Sequence, residues 1–123
     1  MKALEKPINW RGNSFRDLCD ESLFSAEARR EAGRQLSQLG QLSQVQQGVD
    51  PDHWKSFSDV GSGAKEIIID QQDGWYRVMY VAKFEEAVYV LHCFKKKTNT
   101  TSKQDKALAK ARYDGVIAER NER

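Results

Sequence analysis

Three consecutive segments in the second half of the chain are rich in Ile, Val, Tyr and Phe, and only a few residues separate them. They cover residues 65–70 (KEIIID), 75–82 (WYRVMYVA) and 86–94 (EAVYVLHCF). β-Branched and aromatic side chains favour strands, and Asp73-Gly74 between the first two segments is a hairpin signal. Connections this short allow only antiparallel neighbours, because a parallel pair needs a crossover of about a dozen residues or more. The pattern therefore predicts an antiparallel three-strand meander.

Helix signals lie on both sides of this meander. Ser14 opens a capping-box pattern followed by about two helical turns, and a longer helix is predicted from near Ser25 to about Gln38 or beyond. The longer helix carries one apolar stripe at helical spacing, formed by Ala28, Ala32, Leu36, Leu39 and Leu42. A second capping-box pattern at Ser102 predicts a terminal helix over about residues 103–119.

The remaining residues complete the predicted fold. Residues 7–10 alternate as an edge strand does, and residues 46–64 are rich in Gly, Asp, Ser and Pro, which predicts a loop whose Trp54 and Phe57 tuck against the core. A chain of 123 residues has room for one compact domain, residues 1–123. We therefore expect an α+β fold: a small antiparallel sheet of about four strands, two N-terminal helices and a C-terminal helix, with the helices packed on one sheet face.

The distribution of charged residues along the chain says more about possible partners than the net charge does. No apolar run is long enough to cross a bilayer and no apolar leader follows Met1, so we expect a cytoplasmic protein without a membrane partner. The net charge is only +2, but residues 95–112 contain seven cations and one anion, Asp105. The cations are Lys95, Lys96, Lys97, Lys103, Lys106, Lys110 and Arg112. Such a field attracts phosphate backbones and acidic proteins, and the alternative interpretation is a solvated helix face.

One residue of the middle strand, Arg77, is charged in an otherwise apolar segment. Alternation places Arg77 and Met79 on one face and Tyr76 and Val78 on the other. An arginine in this position must pair with a carboxylate or face water. Glu66 is a plausible structural partner, and a phosphate is the other candidate, because it fits the planar guanidinium. The sequence leaves both alternatives open.

The last strand of the meander ends in HCFKKKT, residues 92–98. Strict alternation would put four of its side chains on one face, namely Val88, Val90, His92 and Phe94. The lysines that follow are expected near the start of the middle strand, where they would converge with Arg77 on one rim. His92 for proton transfer and Phe94 for base stacking would then complete what RNA cleavage by the 2′-hydroxyl needs. The alternatives are solvated lysines and a core histidine.

Other kinds of site lack their sequence pattern. Carboxylates do not cluster as two-metal phosphoryl chemistry requires, and Cys19 and Cys93 have no partners at metal-ligand spacing. There is no Gly-x-Ser-x-Gly elbow and no phosphate-cradling glycine loop. Any nuclease activity is therefore expected to be independent of metals, and no cofactor is predicted.

A longer pattern resembles one known family. It consists of YRVMY (residues 76–80), VYVLHCF (88–94), KKKT (95–98) and AKAR (109–112) in the terminal helix. These motifs resemble the phage-derived HigB-like toxins of the RelE/ParE superfamily, over most of residues 65–116 by motif and over the N-terminal half by element order. The resemblance implies a RelE-like fold and a ribosome-associated mRNA interferase. It also implies a cognate antitoxin, usually a helix-turn-helix DNA-binding protein.

Residue roles follow from the same resemblance. It matches Arg77 and Lys95 to Lys97 to the cleft arginine and the basic strand end, His92 to the strand histidine and Arg112 to the arginine of the terminal helix. We therefore expect catalytic roles for Arg77, Lys95, Lys97 and His92 and RNA-binding roles for Lys96 and Arg112. Phe94, by base stacking, and Lys103 and Lys110, by their charge, are further RNA-binding candidates. Related sequences commonly have Thr-Pro before the last helix, where this chain has Thr100-Thr101-Ser102. Two alternatives stay open: a ParE-type toxin that poisons DNA gyrase, and a non-catalytic protein that binds nucleic acid or a protein partner. Intact mRNA during growth arrest would favour the first, and the lack of an adjacent helix-turn-helix gene would favour the second.

Overall fold

The computed structural model describes residues 6–42, 54–96 and 101–122. Within these ranges the chain forms five strands and three helices. In chain order they are β1 (Ile8–Trp10), α1 (Ser14–Cys19), α2 (Ala26–Leu42), β2 (Trp54–Ser56), β3 (Ala64–Gln71), β4 (Gly74–Val81), β5 (Val88–Lys96) and α3 (Lys103–Asn121). The predicted edge strand, the three predicted helices and the α+β class are confirmed.

The sheet is mixed, and it has one strand more than the sequence indicates. Its strand order is β1-β5-β4-β3-β2, with β1 parallel to β5 and every other neighbouring pair antiparallel. The meander of β3, β4 and β5 is therefore confirmed, whereas the strand count and the direction of β1 differ from the expectation. The long connection after β1 frees this strand from hairpin geometry, so that it can run parallel to β5. The extra strand, β2, lies in the predicted loop, because three residues are too few to show alternation.

Helices cover both faces of the sheet, and the expectation of a single covered face was wrong. α1 and α2 pack on one face, the α1/α2 face, where Phe24 contributes to an apolar core with Val78. α3 packs on the opposite face, the α3 face, where Tyr113 contributes to a second core with Met79 and Phe57. β4 and β5 are apolar in both of their alternating sets, so both faces of the sheet must be covered. The burial of Phe57 confirms its predicted packing, and the side chain of Trp54 lies outside the described residues.

The two predicted capping boxes differ in outcome. At α3, Oγ of Ser102 accepts a hydrogen bond from the backbone N–H of Asp105 at 3.1 Å, which confirms the prediction. At α1 the N-cap is Asn13, without a side-chain cap bond, and Ser14 is the first helical residue. Ser14 is fully buried, and its hydroxyl donates to the carbonyl of Val90 at 3.3 Å. This serine therefore joins the helix to the sheet and does not cap it.

Candidate functional site

A β-bulge in β5 decides which side chains face α3. The strand register pairs Met79 with His92 but Tyr80 with Val90, so Leu91 is an extra residue on β5. Leu91 packs in the core under α3, and the next residue, His92, also reaches α3 through a hydrogen bond. Two successive side chains therefore point to the α3 face.

This bulge corrects part of the predicted face assignment. Val88 and Val90 belong to the core of the α1/α2 face. His92 and Phe94 lie on the α3 face, where their rings stack with centroids 4.5 Å apart. The four residues were expected on one face, and that expectation was wrong because a bulge shifts the alternation by one residue.

Arg77 is buried on the α3 face, where its guanidinium meets carboxylates. Its side chain is only 1% exposed, and its Nε lies 3.2 Å from Oε1 of Glu66, which is equally buried. The hydroxyl of Thr101 donates to the other oxygen of Glu66 at 3.0 Å. A second carboxylate, that of the exposed Asp70, lies 3.7 Å from Nη1 of Arg77. The sequence-based alternative of an ion pair with Glu66 is thus confirmed.

His92 is held by the first turn of α3. Its Nε2 lies 2.9 Å from Oδ1 of Asp105, and Oδ2 of Asp105 accepts a hydrogen bond from the hydroxyl of Ser102 at 2.7 Å. The other ring nitrogen of His92, Nδ1, is buried and has no hydrogen-bond partner among the described residues. The residues that begin α3 therefore also orient the imidazole.

Lys96 is the lysine of the strand end that lies with these groups. Its side chain is 7% exposed, and its Nζ lies 3.9 Å from Oδ2 of Asp105 and 5.8 Å from the ring centroid of Phe94. In the part of the chain that the structure describes, this buried ammonium nitrogen has no hydrogen-bond partner. We call the buried and partly buried polar groups on this face the α3-side cluster. It comprises Glu66, Arg77, His92, Lys96, Thr101 and Asp105.

Lys95, the preceding residue, lies away from this cluster. Its Nζ is 3.3 Å from Oδ2 of Asp73 and 5.3 Å from the ring centroid of Tyr76, a residue of the α1/α2 core. Successive side chains of a strand point to opposite faces, so Lys95 and Lys96 are separated by the sheet. The predicted convergence with Arg77 thus holds for Lys96 and not for Lys95. Lys97 lies outside the described residues.

Burial controls protonation in the α3-side cluster. Burial raises the pKa of Glu66, although the Thr101 hydroxyl and the Arg77 guanidinium act in the opposite direction. Burial lowers the pKa of His92 against the opposing effect of Asp105. It also lowers the pKa of Lys96. All three shifts favour the neutral form of the group.

The outer surface of α3 carries the remaining predicted RNA-binding lysines. Lys103 and Lys110 are exposed, and Nζ of Lys110 lies 3.6 Å from Asp114, one turn further along the helix. Lys106 is half-buried and lies 3.5 Å from Asp59. These lysines extend the positive charge beyond the cluster along one helix.

Arg112 has a structural contact that the sequence did not indicate. Its Nη1 donates to the carbonyl of Leu91 at 2.8 Å, which satisfies an acceptor at the bulge. The guanidinium also lies against Gly12, whose φ is +54°, and a Cβ at Gly12 would be 2.5 Å from Nε of Arg112. The arginine predicted to bind RNA therefore helps to hold α3 on the sheet.

Thr101 and Asp105 were missed as members of the site, and Glu66 was predicted only as a structural partner of Arg77. The capping-box pattern identified Asp105 as part of a helix start, but its contact with His92 joins residues 13 positions apart in different elements.

Among the described residues, no three His, Cys, Asp or Glu side chains are arranged to hold a metal ion. The arrangement instead suits phosphate binding by cations and proton transfer by an imidazole.

None of the helices in the described ranges is both long and apolar enough to span a membrane.

One known protein family matches most of the chain. The family model described as phage derived protein Gp49-like (DUF891) matches residues 22–114, which include every member of the α3-side cluster. No curated protein and no solved structure matches the chain. The matched family is toxin-like and occurs in toxin–antitoxin systems. Because the match covers well over half of the sequence, the chain belongs to the phage-derived Gp49-like family.

Proposed function

We propose that the chain is the toxin of a type II toxin–antitoxin system and that it cleaves mRNA on the ribosome, as RelE- and HigB-like interferases do. The observation that carries this proposal is the α3-side cluster, in which Arg77, Lys96 and His92 lie on one sheet face beside the ring of Phe94. Membership of a toxin-like family supplies the biological context.

Each of these groups has a role in cleavage by the 2′-hydroxyl. Lys96 contacts the scissile phosphate, because its buried ammonium has donors that no described residue accepts. Arg77 adds positive charge beside it and is held in place by Glu66. His92 moves a proton, and the face of Phe94 stacks on a base. Since protein cations neutralise the phosphate, the reaction needs no metal ion.

The cluster is buried, so RNA can reach it only if side chains around it move. Arg77, His92 and Lys96 are each less than a tenth exposed, and next to them Asp105 bonds to His92 and Thr101 bonds to Glu66. RNA must therefore displace neighbouring side chains when it binds, while the hydrogen bond between Asp105 and His92 is kept. Lys103 and Lys110 on α3 are exposed and add positive charge nearby, so binding of the RNA polyanion should weaken steeply with salt.

The proposed partners follow from this activity. The substrate is mRNA engaged with the ribosome, so the toxin acts in the cytoplasm. Its activity is blocked by a cognate antitoxin, a helix-turn-helix protein encoded by an adjacent gene. A genome in which no such gene adjoins this one would favour a protein that only binds nucleic acid or a partner.

The experiment is expression of the protein without its antitoxin, followed by primer extension on translated mRNA. We expect growth arrest with cuts in translated messages. Growth arrest with intact mRNA and altered DNA supercoiling would instead identify a gyrase-poisoning toxin.

Adjacent lysines supply a matched pair of variants. Lys96→Ala removes the cation of the cluster, whereas Lys95→Ala removes an equal charge from the opposite sheet face. We expect Lys96→Ala to lower the cleavage rate by on the order of a hundredfold or more and Lys95→Ala to retain toxicity. Equal losses in both variants, with both proteins folded by circular dichroism, would place the site elsewhere.

A further inference from the structure

His92 and Asp105 form a pair whose geometry constrains the proton on the imidazole. Oδ1 of Asp105 lies 2.9 Å from Nε2 of His92, within hydrogen-bond distance. An ionised carboxylate has no proton to donate, so the hydrogen must be on Nε2. A neutral imidazole with its proton on Nε2 has a lone pair on Nδ1.

The carboxylate of Asp105 is itself fixed. Its Oδ2 accepts a hydrogen bond from the Ser102 hydroxyl at 2.7 Å, while the Asp105 backbone N–H donates to the same hydroxyl oxygen at 3.1 Å. These two bonds restrain the side chain at the third residue of α3. A histidine whose partner is held in this way keeps one ring orientation and one tautomer.

A second observation concerns the far side of the ring. Nδ1 of His92 is buried and has no hydrogen-bond partner among the described residues, and the His92 side chain is 8% exposed. A buried acceptor without a partner is costly unless a ligand supplies a donor. A ribose 2′-hydroxyl is a donor of the required kind, and it lies next to the phosphate that Lys96 is proposed to contact.

We propose that Asp105 is a positioning residue that holds His92 as the neutral Nε2–H tautomer, so that Nδ1 accepts the proton of the attacking 2′-hydroxyl. The proton moves to Nδ1 as the 2′-oxygen forms its bond to phosphorus and the bond from phosphorus to the 5′-oxygen breaks. The leaving 5′-oxygen takes a proton from water, and the imidazolium returns its proton to the resulting hydroxide. This role of Asp105 rests on the proposed RNA cleavage, whereas the tautomer does not depend on it.

Charges on two helices act on this imidazole. Asp105 on α3 and Asp17 on α1 favour the protonated ring, and Arg112 on α3 opposes it, while burial lowers the pKa of His92. The ammonium of Lys96, on the same face of β5, lies 3.9 Å from Oδ2 of the same Asp105 carboxylate. Removing the charge of Asp105 should therefore lower the pKa of His92 further, because the strongest attraction for the imidazolium is lost.

The first experiment reads the tautomer directly from imidazole ¹⁵N chemical shifts. The chain has two histidines, so His53→Gln leaves the signals of His92 alone. At neutral pH we expect a protonated Nε2 and an unprotonated Nδ1. Asp105→Asn should mix the tautomers and lower the titration midpoint of the ring, whereas Asp114→Asn, an equal charge change on the same helix, should do neither. A ring protonated on Nδ1 at neutral pH would refute the proposal.

The second experiment measures the pH dependence of mRNA cleavage. Asp105→Asn should slow cleavage by on the order of tenfold or more and move the acid limb of the profile to lower pH, and Asp105→Glu should restore part of the rate. Asp114→Asn makes an equal charge change on the exposed surface of α3 and is the control, so it should keep the wild-type rate and the wild-type acid limb. If Asp105→Asn gives the same acid limb as wild type and Asp114→Asn, the positioning role is wrong. A wild-type protein that cleaves no RNA would refute the proposed function, and the ¹⁵N shifts would still decide the tautomer.

Discussion

Under α1 and α2 the sheet meets a core of apolar side chains, whereas under α3 an apolar core and the α3-side cluster lie side by side. The apolar core on the α3 face is built around Met79 and Tyr113, and next to it Arg77 and Glu66 are each 1% exposed. The two faces are thus stabilised by different interactions. The α1/α2 face depends on packed volume, and the cluster depends on balanced charge.

This difference shows how a sheet can keep a chemically active set of side chains without losing its fold. Deleting volume from a packed core leaves a cavity that only more volume can fill. Deleting one charge from a buried pair leaves the other uncompensated, and removing both can restore stability. The two faces should therefore respond differently to paired substitutions.

The largest expected effect is that of Arg77→Ala. Removing the guanidinium leaves the buried carboxylate of Glu66 without its ion-pair partner, which should lower the free energy of unfolding by about 3–5 kcal/mol. Arg77→Met combined with Glu66→Leu should recover most of this loss, as judged by urea denaturation. A double variant as unstable as Arg77→Ala would show that the cluster is not stabilised by charge balance.

A core substitution on the α1/α2 face gives the second comparison. Ile67 is fully buried in that core, so Ile67→Ala should lower the free energy of unfolding by about 2–5 kcal/mol through lost burial and a cavity. Ile68, the next residue of β3, is partly exposed, and Ile68→Ala should cost less. Equal losses at the two positions would contradict the assignment of the packed face.

The sequence predicted elements whose signals are local. The hairpin signal at Asp73-Gly74 and the strand composition located the meander, and the capping box at Ser102 located the start of α3. The sequence also contained a signal that both sheet faces are covered, because β5 has apolar residues in both alternating sets. The prediction of a single covered face did not use this signal. The direction of β1 depends on a long connection, for which local pattern gives no rule.

The site was predictable in its residue types and not in its geometry. Arg77 and the possible partner Glu66 were identified from the sequence, because a charge in an apolar strand needs a partner. The bulge at Leu91 was not identified, since its contacts are tertiary: the Leu91 side chain packs under α3, and the Leu91 carbonyl accepts a hydrogen bond from Arg112. That one-residue shift places His92 beside Asp105, and no periodicity in the sequence contains this information.

A smaller effect on stability should appear when the pH is changed. Burial holds the pKa of His92 in the folded protein below its ordinary value of about 6.5. As the pH falls through the ordinary value, His92 of the unfolded chain takes up a proton and His92 of the folded chain does not. The free energy of unfolding therefore decreases until the pH reaches the lower pKa of the folded state. His92→Gln should remove this component, measured as the difference in unfolding free energy between wild type and variant across acidic pH. An unchanged pH dependence in the variant would show that His92 is not held neutral.

The smallest effect on stability should come from substitutions on the outer surface of α3. They compare an exposed ion pair with the buried ion pair of the cluster. The Lys110 and Asp114 side chains are 56% and 61% exposed, and water screens their interaction at 3.6 Å. Asp114→Asn should therefore change the free energy of unfolding by less than about 0.5 kcal/mol, whereas the buried pair of Arg77 and Glu66 is expected to matter far more. Thermal unfolding at low and high salt tests this contrast. If Asp114→Asn lowered the free energy of unfolding as much as Arg77→Ala does, exposed charges on α3 would stabilise the fold as strongly as the buried pair, and the contrast would be wrong.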